Sequence, residues 1–213
     1  MEMKRNIDWS KVLLAFLITV LLFNIGLLAG YFGSKIIEGS SISIIQSTNN
    51  EISNLETLSL LEQNYPCSSF TLVVATERLG YMSDLIDSME DQRGKTNSDV
   101  IELKKIYSIV EIRHMLLLKQ RAENCGTNYN IVIYFYSNAD ECKDNTNRIS
   151  FILGYLRNKF NNLRVYSYDI NLNNDAVQIL KNYYNATGCY KVILDEKPFG
   201  EITKSEDIEK YLK

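Results

Sequence analysis

The chain has 213 residues, a formal net charge of −3 and 46% hydrophobic residues. The acidic balance argues against a nucleic-acid-binding protein, which usually carries a basic face, and the apolar content argues against wholesale disorder. One histidine and four widely spaced cysteines without a Cys-x-x-Cys pair speak against zinc fingers, histidine metal sites and histidine-based triads. Because the sequence also has no phosphate-binding glycine-rich loop, we expect no cofactor.

An apolar segment near the N-terminus predicts a membrane anchor. Residues 12–32 form a run of 21 residues without a formal charge, which at about 1.5 Å per residue spans the roughly 30 Å hydrocarbon core. We therefore expect a short N-terminal segment, residues 1–11, and a transmembrane helix over residues 12–34. A cleaved signal peptide is the alternative, but its apolar core is normally about 7–15 residues long, and no clear small-x-small cleavage site follows.

The charges beside this segment predict its orientation. Lys4, Arg5 and Lys11 precede it, and Lys35 is the nearest cation after it. Because cytoplasmic flanks carry an excess of Lys and Arg, we expect the N-terminus in the cytoplasm. The C-terminal part is then extracytoplasmic, and the chain is a single-pass protein of the cell membrane.

Two glycines in the anchor suggest a helix–helix contact. Gly26 and Gly30 have the Gly-x-x-x-Gly spacing that lets two helices approach closely in a bilayer, and the nearby amide of Asn24 is a candidate interhelical hydrogen-bonding group. A homodimer through this face is therefore a hypothesis. The alternative is that glycine is simply frequent in such helices.

The next predicted region, residues 35–126, is a helical stalk and hairpin. Residues 37–64 have a helical apolar pattern that Pro66 ends. Two better supported helices, residues 68–93 and 100–124, have nearly equal length and a four-residue connection, so they should form an antiparallel hairpin. In the second helix His114 falls on the apolar stripe, which indicates a packed histidine rather than a ligand or a base.

The hairpin places two cysteines together. Cys67 lies at the start of the first helix and Cys125 at the end of the second. An even number of cysteines on the oxidising side of a membrane favours disulfides, so a Cys67–Cys125 bond is expected. It would close a long loop and stabilise the fold by roughly 3–5 kcal/mol, mainly by restricting the unfolded chain.

The C-terminal region, residues 127–213, changes from a helical to a strand-like period. Its order is β-α-β-α-β-β-α, so the fold class is α/β. The first β-α-β should form a parallel crossover, and the last two strands should form an antiparallel hairpin. The predicted elements are strand 130–137, helix 144–160, strand 163–170, helix 175–185 behind an Asn174 cap, strand 190–195, turn 196–199, strand 200–203, and helix 206–212 capped by Ser205.

This region resembles the thioredoxin family over residues 130–213. Phe135-Tyr136-Ser137 is similar to the end of the strand before the active-site loop. Ala139-Asp140-Glu141-Cys142-Lys143 stands where the family has Cys-Gly-Pro-Cys-Lys. Val192-Ile-Leu-Asp-Glu-Lys-Pro-Phe-Gly-Glu201 resembles the closing strand, turn and strand.

The departures from the family pattern concern its chemistry. The resemblance implies that the first cysteine of the pair is the nucleophile, at a helix start that lowers its pKa, but Ala139 occupies that position. Cys142 matches the second, resolving cysteine. The family's cis-proline is replaced by Cys189, followed by Tyr190. Dithiol exchange by a Cys-x-x-Cys pair is therefore not available to this chain.

The same resemblance implies that Cys142 and Cys189 lie close together, because the family's cis-proline loop packs against its active-site cysteines. The pair is then a structural disulfide or a redox-active one, with free thiols or other pairings as alternatives. Asn185-Ala186-Thr187 is a glycosylation sequon that would face the outside.

Two functions are compatible with these features. The first is a membrane protein, anchored through residues 12–34, that presents a degenerate, non-catalytic thioredoxin-like domain to bind another protein or to assist assembly. The second is a membrane-tethered thiol–disulfide oxidoreductase that uses Cys142 with Cys189. The loss of the nucleophilic cysteine favours the first, and the retained cysteine at the resolving position motivates the second.

Overall fold

A computed structural model describes residues 9–65 and 67–212, and these form a mixed α/β protein. The described residues divide between Gln46 and Ser47 into two units. The elements are helices α1 (Trp9–Asn64), α2 (Ser69–Arg93), α3 (Ser98–Cys125), α4 (Lys143–Lys159), α5 (Asp175–Tyr183) and α6 (Glu206–Glu209), and strands β1 (Asn130–Tyr136), β2 (Leu163–Asp169), β3 (Tyr190–Leu194) and β4 (Lys197–Pro198).

Helix α1 covers both the predicted anchor and the predicted stalk, and it ends at Asn64, two residues before Pro66. Its first part, Trp9–Tyr31, is long and apolar enough to cross a membrane, a property that a signal sequence shares. All side chains of this part are exposed within their unit. The structure therefore contains one N-terminal helix that meets the requirements of an anchor. Lys4 and Arg5, which predict its orientation, lie outside the described residues.

The sheet has the strand order β2-β1-β3-β4. Strands β1 and β2 are parallel, as a β-α-β crossover requires. Strand β3 is antiparallel to both β1 and β4. The central position of β1 explains why its sequence is largely apolar, because both of its faces are covered.

The α2–α3 hairpin packs directly on the sheet. Met115 and Leu118 of α3 share one core with Ile133 and Phe135 of β1 and with Tyr168 of β2. The hairpin and the C-terminal region therefore form one folded body, a point that periodicity alone did not decide.

The opposite face of the sheet has its own core. The apolar stripe of α4, with Ile149, Leu153 and Leu156, packs there against Val132 and Tyr134. Alternate residues of β1 thus serve the two cores, as the pleat of a strand dictates.

Three local predictions were wrong. The turn before the last strand lies at Asp195 and Glu196, both with positive φ (46° and 68°), so β4 is Lys197–Pro198 and not residues 200–203. Helix α6 ends at Glu209 and has no side-chain cap from Ser205. The Asp207 carboxylate instead accepts hydrogen bonds from the backbone N–H groups of residues 203 and 204.

The sequence predicts Ser98 or Asp99 as the cap of α3 and a buried apolar stripe on α2 that starts at Phe70, and both predictions differ from the structure. Asn97 is the N-cap of α3, and its side chain accepts from the Asp99 N–H at 3.0 Å. Phe70, at the start of the predicted stripe of α2, is 73% exposed. The smaller Thr71 and Ala75 are buried instead.

Candidate functional site

The Cys142–Cys189 disulfide marks the site that the sequence singles out. It joins the start of α4 to the residue before β3, with a Cα–Cα distance of 5.0 Å. Cys142 is only 5% exposed, whereas Cys189 is half-buried. The Cys189 carbonyl accepts a hydrogen bond from the Ser137 N–H at 2.9 Å. The bond therefore connects two loops at the carboxyl end of β1.

A network of polar side chains fixes the loop before Cys142. The Ser137 hydroxyl accepts from the Ala139 N–H at 3.2 Å and from the Asn171 amide at 2.8 Å. The Asp169 carboxylate accepts from the Asn138 amide at 2.6 Å and from the Asn171 N–H at 2.9 Å. Ala139 therefore lies in a turn that several side-chain hydrogen bonds hold in place.

The second disulfide, Cys67–Cys125, closes the base of the hairpin with a Cα–Cα distance of 5.6 Å. All four cysteines are thus paired. Bonds that close loops of 58 and 47 residues typically stabilise a fold by about 2–4 kcal/mol each.

A buried ion pair lies beside the Cys67–Cys125 bond. The guanidinium of Arg121 donates to both carboxylate oxygens of Glu62, at 3.0 and 3.1 Å, and to the Ser68 carbonyl at 2.5 Å. Glu62 also accepts from the Cys67 N–H at 2.9 Å. The two side chains are 1% and 6% exposed, so this pair fastens the end of α1 to the hairpin in a dry environment.

His114 is a structural residue, as its place on the apolar stripe predicts. It is 1% exposed, and its ring nitrogens lie 2.6 Å from the Tyr166 hydroxyl and 3.0 Å from the Thr76 hydroxyl. Thr76 already donates its proton to the Leu72 carbonyl, so Nε2 of His114 must be the donor to Thr76, and Nδ1 accepts from Tyr166. The neutral ring is fully bonded, and burial lowers the pKa of His114 to about 4.

A polar cavity of about 400 Å³ lies at the edge strand β2. Alternate residues of β1 and β2 form its floor, α2 and α3 one wall, and α4 the other. Glu111 of α3 lines it and is 3% exposed. One carboxyl oxygen accepts from the Ser167 N–H at 3.3 Å. The other, Oε2, has no hydrogen-bond partner of good geometry among the described residues, although the Tyr107 hydroxyl helps to stabilise the ionised form of the group.

Burial raises the pKa of Glu111 to about 8. The Ser167 N–H, the Tyr107 hydroxyl and the charge of Arg157 act in the opposite direction but are outweighed. Glu111 is therefore mainly protonated at neutral pH. Buried carboxyl groups with such shifts are characteristic of functional sites.

Sequence reasoning missed Glu111 and Arg121 as site residues. Both lie on the stripe of α3 that also carries Val100, Leu103 and His114, and all five are buried. A charged residue at a stripe position is a signal that could have identified them. Their partners could not be found in that way, because they come from distant parts of the chain.

The remaining candidates are surface features. Asn185 and Thr187 are exposed, so the sequon is accessible. A side chain at Gly26 or Gly30 would meet no other atom within 4 Å, so neither glycine is required by packing within the chain. The Asn24 amide donates a hydrogen bond to the Val20 carbonyl of its own helix at 2.8 Å.

Comparison with known proteins gave no match: no protein-family profile, no curated protein and no solved structure is significantly similar to this chain.

Proposed function

We propose that the chain is a single-pass membrane protein that presents a thioredoxin-like, non-catalytic domain outside the cytoplasm, where the domain binds another protein. The observation that carries this proposal is the pairing of all four cysteines. Disulfides persist in oxidising compartments and are rare in the cytosol. A domain with two of them, behind an apolar helix with a basic N-terminal flank, fits the outer side of a membrane.

The element order and strand directions support the thioredoxin-like assignment. The described C-terminal region has the order β-α-β-α-β-β-α, with a parallel first pair and an antiparallel last pair. The pairing of Cys142 with Cys189 agrees with the contact that the resemblance implies.

The surroundings of Cys142 support a non-catalytic role. Cys142 is buried and bonded, and Ala139 stands at the nucleophile position. The network around Ser137 and Asp169 holds the loop in place. Such a bond pins two loops together and offers a rigid surface to a partner.

The half-buried position of Cys189 favours a second candidate, a membrane-tethered thiol–disulfide oxidoreductase. A thiolate of a reduced client would bond to Sγ of Cys189, and Cys142 would leave as a thiolate. The second client thiolate would then attack the mixed disulfide and release Cys189. The client is oxidised by two electrons, and the Cys142–Cys189 pair is reduced.

Glycan mapping tests the orientation. Asn185 is the acceptor of the only Asn-x-Ser/Thr sequon in the sequence. When the full chain is inserted into glycosylating microsomes, we expect a glycosidase-sensitive mass increase that Asn185→Gln and Thr187→Ala both abolish, because only lumenal sequons are modified. An unmodified chain whose C-terminal part is digested by external protease would contradict the proposed orientation.

A redox assay separates the two functions. The full chain in micelles is mixed with a reduced dithiol peptide, and formation of the peptide disulfide is followed. We expect no acceleration by the wild-type chain, because the Cys142–Cys189 bond is structural. The informative variants are Cys142→Ser/Cys189→Ser and, as the matched control, Cys67→Ser/Cys125→Ser. Acceleration that the first variant loses and the second keeps would establish the oxidoreductase instead.

A further inference from the structure

The cavity at the edge strand β2 contains an unused polar group. The Oε2 atom of Glu111 is buried and has no hydrogen-bond partner among the described residues. Buried polar atoms are nearly always bonded in folded proteins, so an orphaned oxygen in the wall of an open polar cavity indicates a position that a ligand completes. The volume of about 400 Å³ is within the usual range of small-ligand pockets, about 300–1,000 Å³.

The charged groups of the cavity wall balance only while Glu111 is protonated. Lys95 and Lys104 both pair with Glu90. Asp87 forms no salt bridge among the described residues; burial is the main cause that raises its pKa, but the charge of Lys104 acts on it and lowers that pKa. Arg157, whose side chain is exposed, is the remaining cation of the wall. With Glu111 protonated, these three cations match the three carboxylates of Asp87, Glu90 and Asp169 in number, so ionisation of Glu111 adds a negative charge that the wall does not compensate.

The carboxyl groups of the wall affect the tyrosine on the floor, Tyr136. Burial is the main cause that raises the pKa of Tyr136, and the charges of Asp169, Glu111 and Glu90 raise it further. Burial opposes a charge of either sign, but the carboxyl groups oppose only a negative one, so their contribution favours a cation over an anion at the floor.

We propose that this cavity binds a cationic group, an ammonium or a guanidinium, with Glu111 as its counter-ion. The cation donates a hydrogen bond to Oε2, and hydroxyl groups around it take up its remaining N–H donors. The polar neighbours available for this are Ser83, Tyr107, Ser108, Ser150 and Ser167. This inference goes beyond the proposed function, because it assigns a ligand class and holds whichever side of the membrane the domain faces.

Other ligand classes fit less well. A metal ion needs several ligating side chains, and no group of three His, Cys, Asp or Glu within residues 9–65 and 67–212 is placed to hold one. An anionic ligand would lie beside the carboxylates of Asp87 and Asp169. Of the cations that line the cavity, Lys95 and Lys104 already pair with Glu90, which leaves Arg157 to receive an anion.

Binding should release a proton. Glu111 carries one at neutral pH, because burial raises its pKa to about 8, and a bound cation favours the ionised carboxylate. The titratable and charged groups that line the cavity with Glu111 come from every surrounding element: Asp87 and Glu90 of α2, Lys104 and Tyr107 of α3, Tyr134 and Tyr136 of β1, Asp169 of β2, Arg157 of α4, and Lys95 between α2 and α3. Tyr166 of β2 also interacts electrostatically with Glu111.

Calorimetry of the full chain in micelles tests the proposal. The probes are N-acetyl-lysine amide, its uncharged analogue N-acetyl-norleucine amide, and the anionic N-acetyl-glutamate amide. We expect the lysine probe to bind best. Titrations at pH 7 in two buffers of different ionisation enthalpy should show release of close to one proton. Pentylamine, compared with the peptide Gly-Lys-Gly, distinguishes a free amine from a basic side chain of a protein as the natural source.

Variants connect the signal to the site. Glu111→Gln should weaken binding of the lysine probe at least tenfold and abolish proton release. Arg157→Gln should tighten binding, because it removes the competing cation. Glu123→Gln, an exposed acid on the same helix, is the matched control and should change neither quantity. Equal binding of the norleucine or glutamate probe, or unchanged binding by a folded Glu111→Gln protein, would overturn the proposal.

Discussion

Replacement of Arg121 by methionine should lower the free energy of unfolding by about 3–5 kcal/mol, because it leaves the Glu62 carboxylate buried without its counter-ion. Glu62 is 1% exposed. The substitution also removes the hydrogen bond to the Ser68 carbonyl. Urea unfolding of the full chain in micelles, with both disulfides intact, measures the loss.

Two further variants identify the cause of that loss. Lys105→Met removes an i,i+3 pair with Glu102 on the surface of the same helix and should change stability by less than about 1 kcal/mol. The double variant Glu62→Leu/Arg121→Met removes both buried charges and should recover most of the stability. Nε of Arg121 has no hydrogen-bond partner within residues 9–65 and 67–212. Because the pair is incompletely hydrogen-bonded, its replacement by apolar residues should cost little stability. If the double variant is as unstable as Arg121→Met, lost packing and not the unpaired Glu62 carboxylate is the main cause of the stability loss.

Local pattern and chain length predicted the hairpin and its disulfide. Two helices of similar length with a short connection must return to their starting point, and the observed helices α2 and α3 start and end within two residues of the predicted ranges. Cys67 and Cys125 therefore meet wherever the hairpin forms. The pairing of Cys142 with Cys189 did not follow from local geometry and rested on the resemblance to a family.

The last hairpin shows where local signals mislead. Pro198 and Gly200 are stronger turn formers than Asp195 and Glu196, so the turn was predicted too late. The observed turn is stabilised from outside, because the Asp195 carboxylate accepts from the Ile131 N–H at 2.8 Å and from the Asn130 amide at 2.9 Å. These hydrogen bonds join residues that are 64 and 65 positions apart in the sequence. A local sequence pattern therefore cannot predict them.

The cavity depends on tertiary packing in the same way. Strand β2 lies at the edge of the sheet, so its outer N–H groups need partners, and Glu111 accepts from one of them. The α3 stripe reveals that Glu111 is buried. Only the packing of the hairpin against β2 reveals that the carboxyl group lies in a polar cavity with one oxygen unused.

Glu111→Gln should stabilise the protein, by about 3 kcal/mol at pH 7 and about 5 kcal/mol at pH 9. In the unfolded chain Glu111 ionises above about pH 4.5, but in the folded protein its pKa is about 8. The unfolded state therefore loses the proton first, and wild-type stability falls as the pH rises from 4.5 to 8. Glutamine keeps the acceptor for the Ser167 N–H and carries no charge, so this loss disappears.

His114 gives the opposite slope and makes the pH profile diagnostic. Its pKa is lowered from 6.5 to about 4, so the folded protein resists protonation and loses stability as the pH falls from 6.5 through 4. In the wild-type chain the two effects oppose each other below pH 6.5. In Glu111→Gln the glutamate effect is removed and the histidine effect remains, so stability should rise up to pH 6.5 and then fall far less than in the wild type. Unfolding curves at intervals from pH 4 to 9 measure this, with Glu123→Gln expected to follow the wild type.

The same variant decides how the cavity is interpreted. If Glu111→Gln is more stable than the wild type and yet fails to bind the lysine probe, the wild-type carboxyl group costs folding free energy and serves binding. A residue that lowers stability while it completes a ligand site is the expected trade-off of a functional position. If Glu111→Gln is instead less stable at every pH, Glu111 is a structural partner of the edge strand. The proposal that Glu111 is the counter-ion of a bound cation would then be wrong.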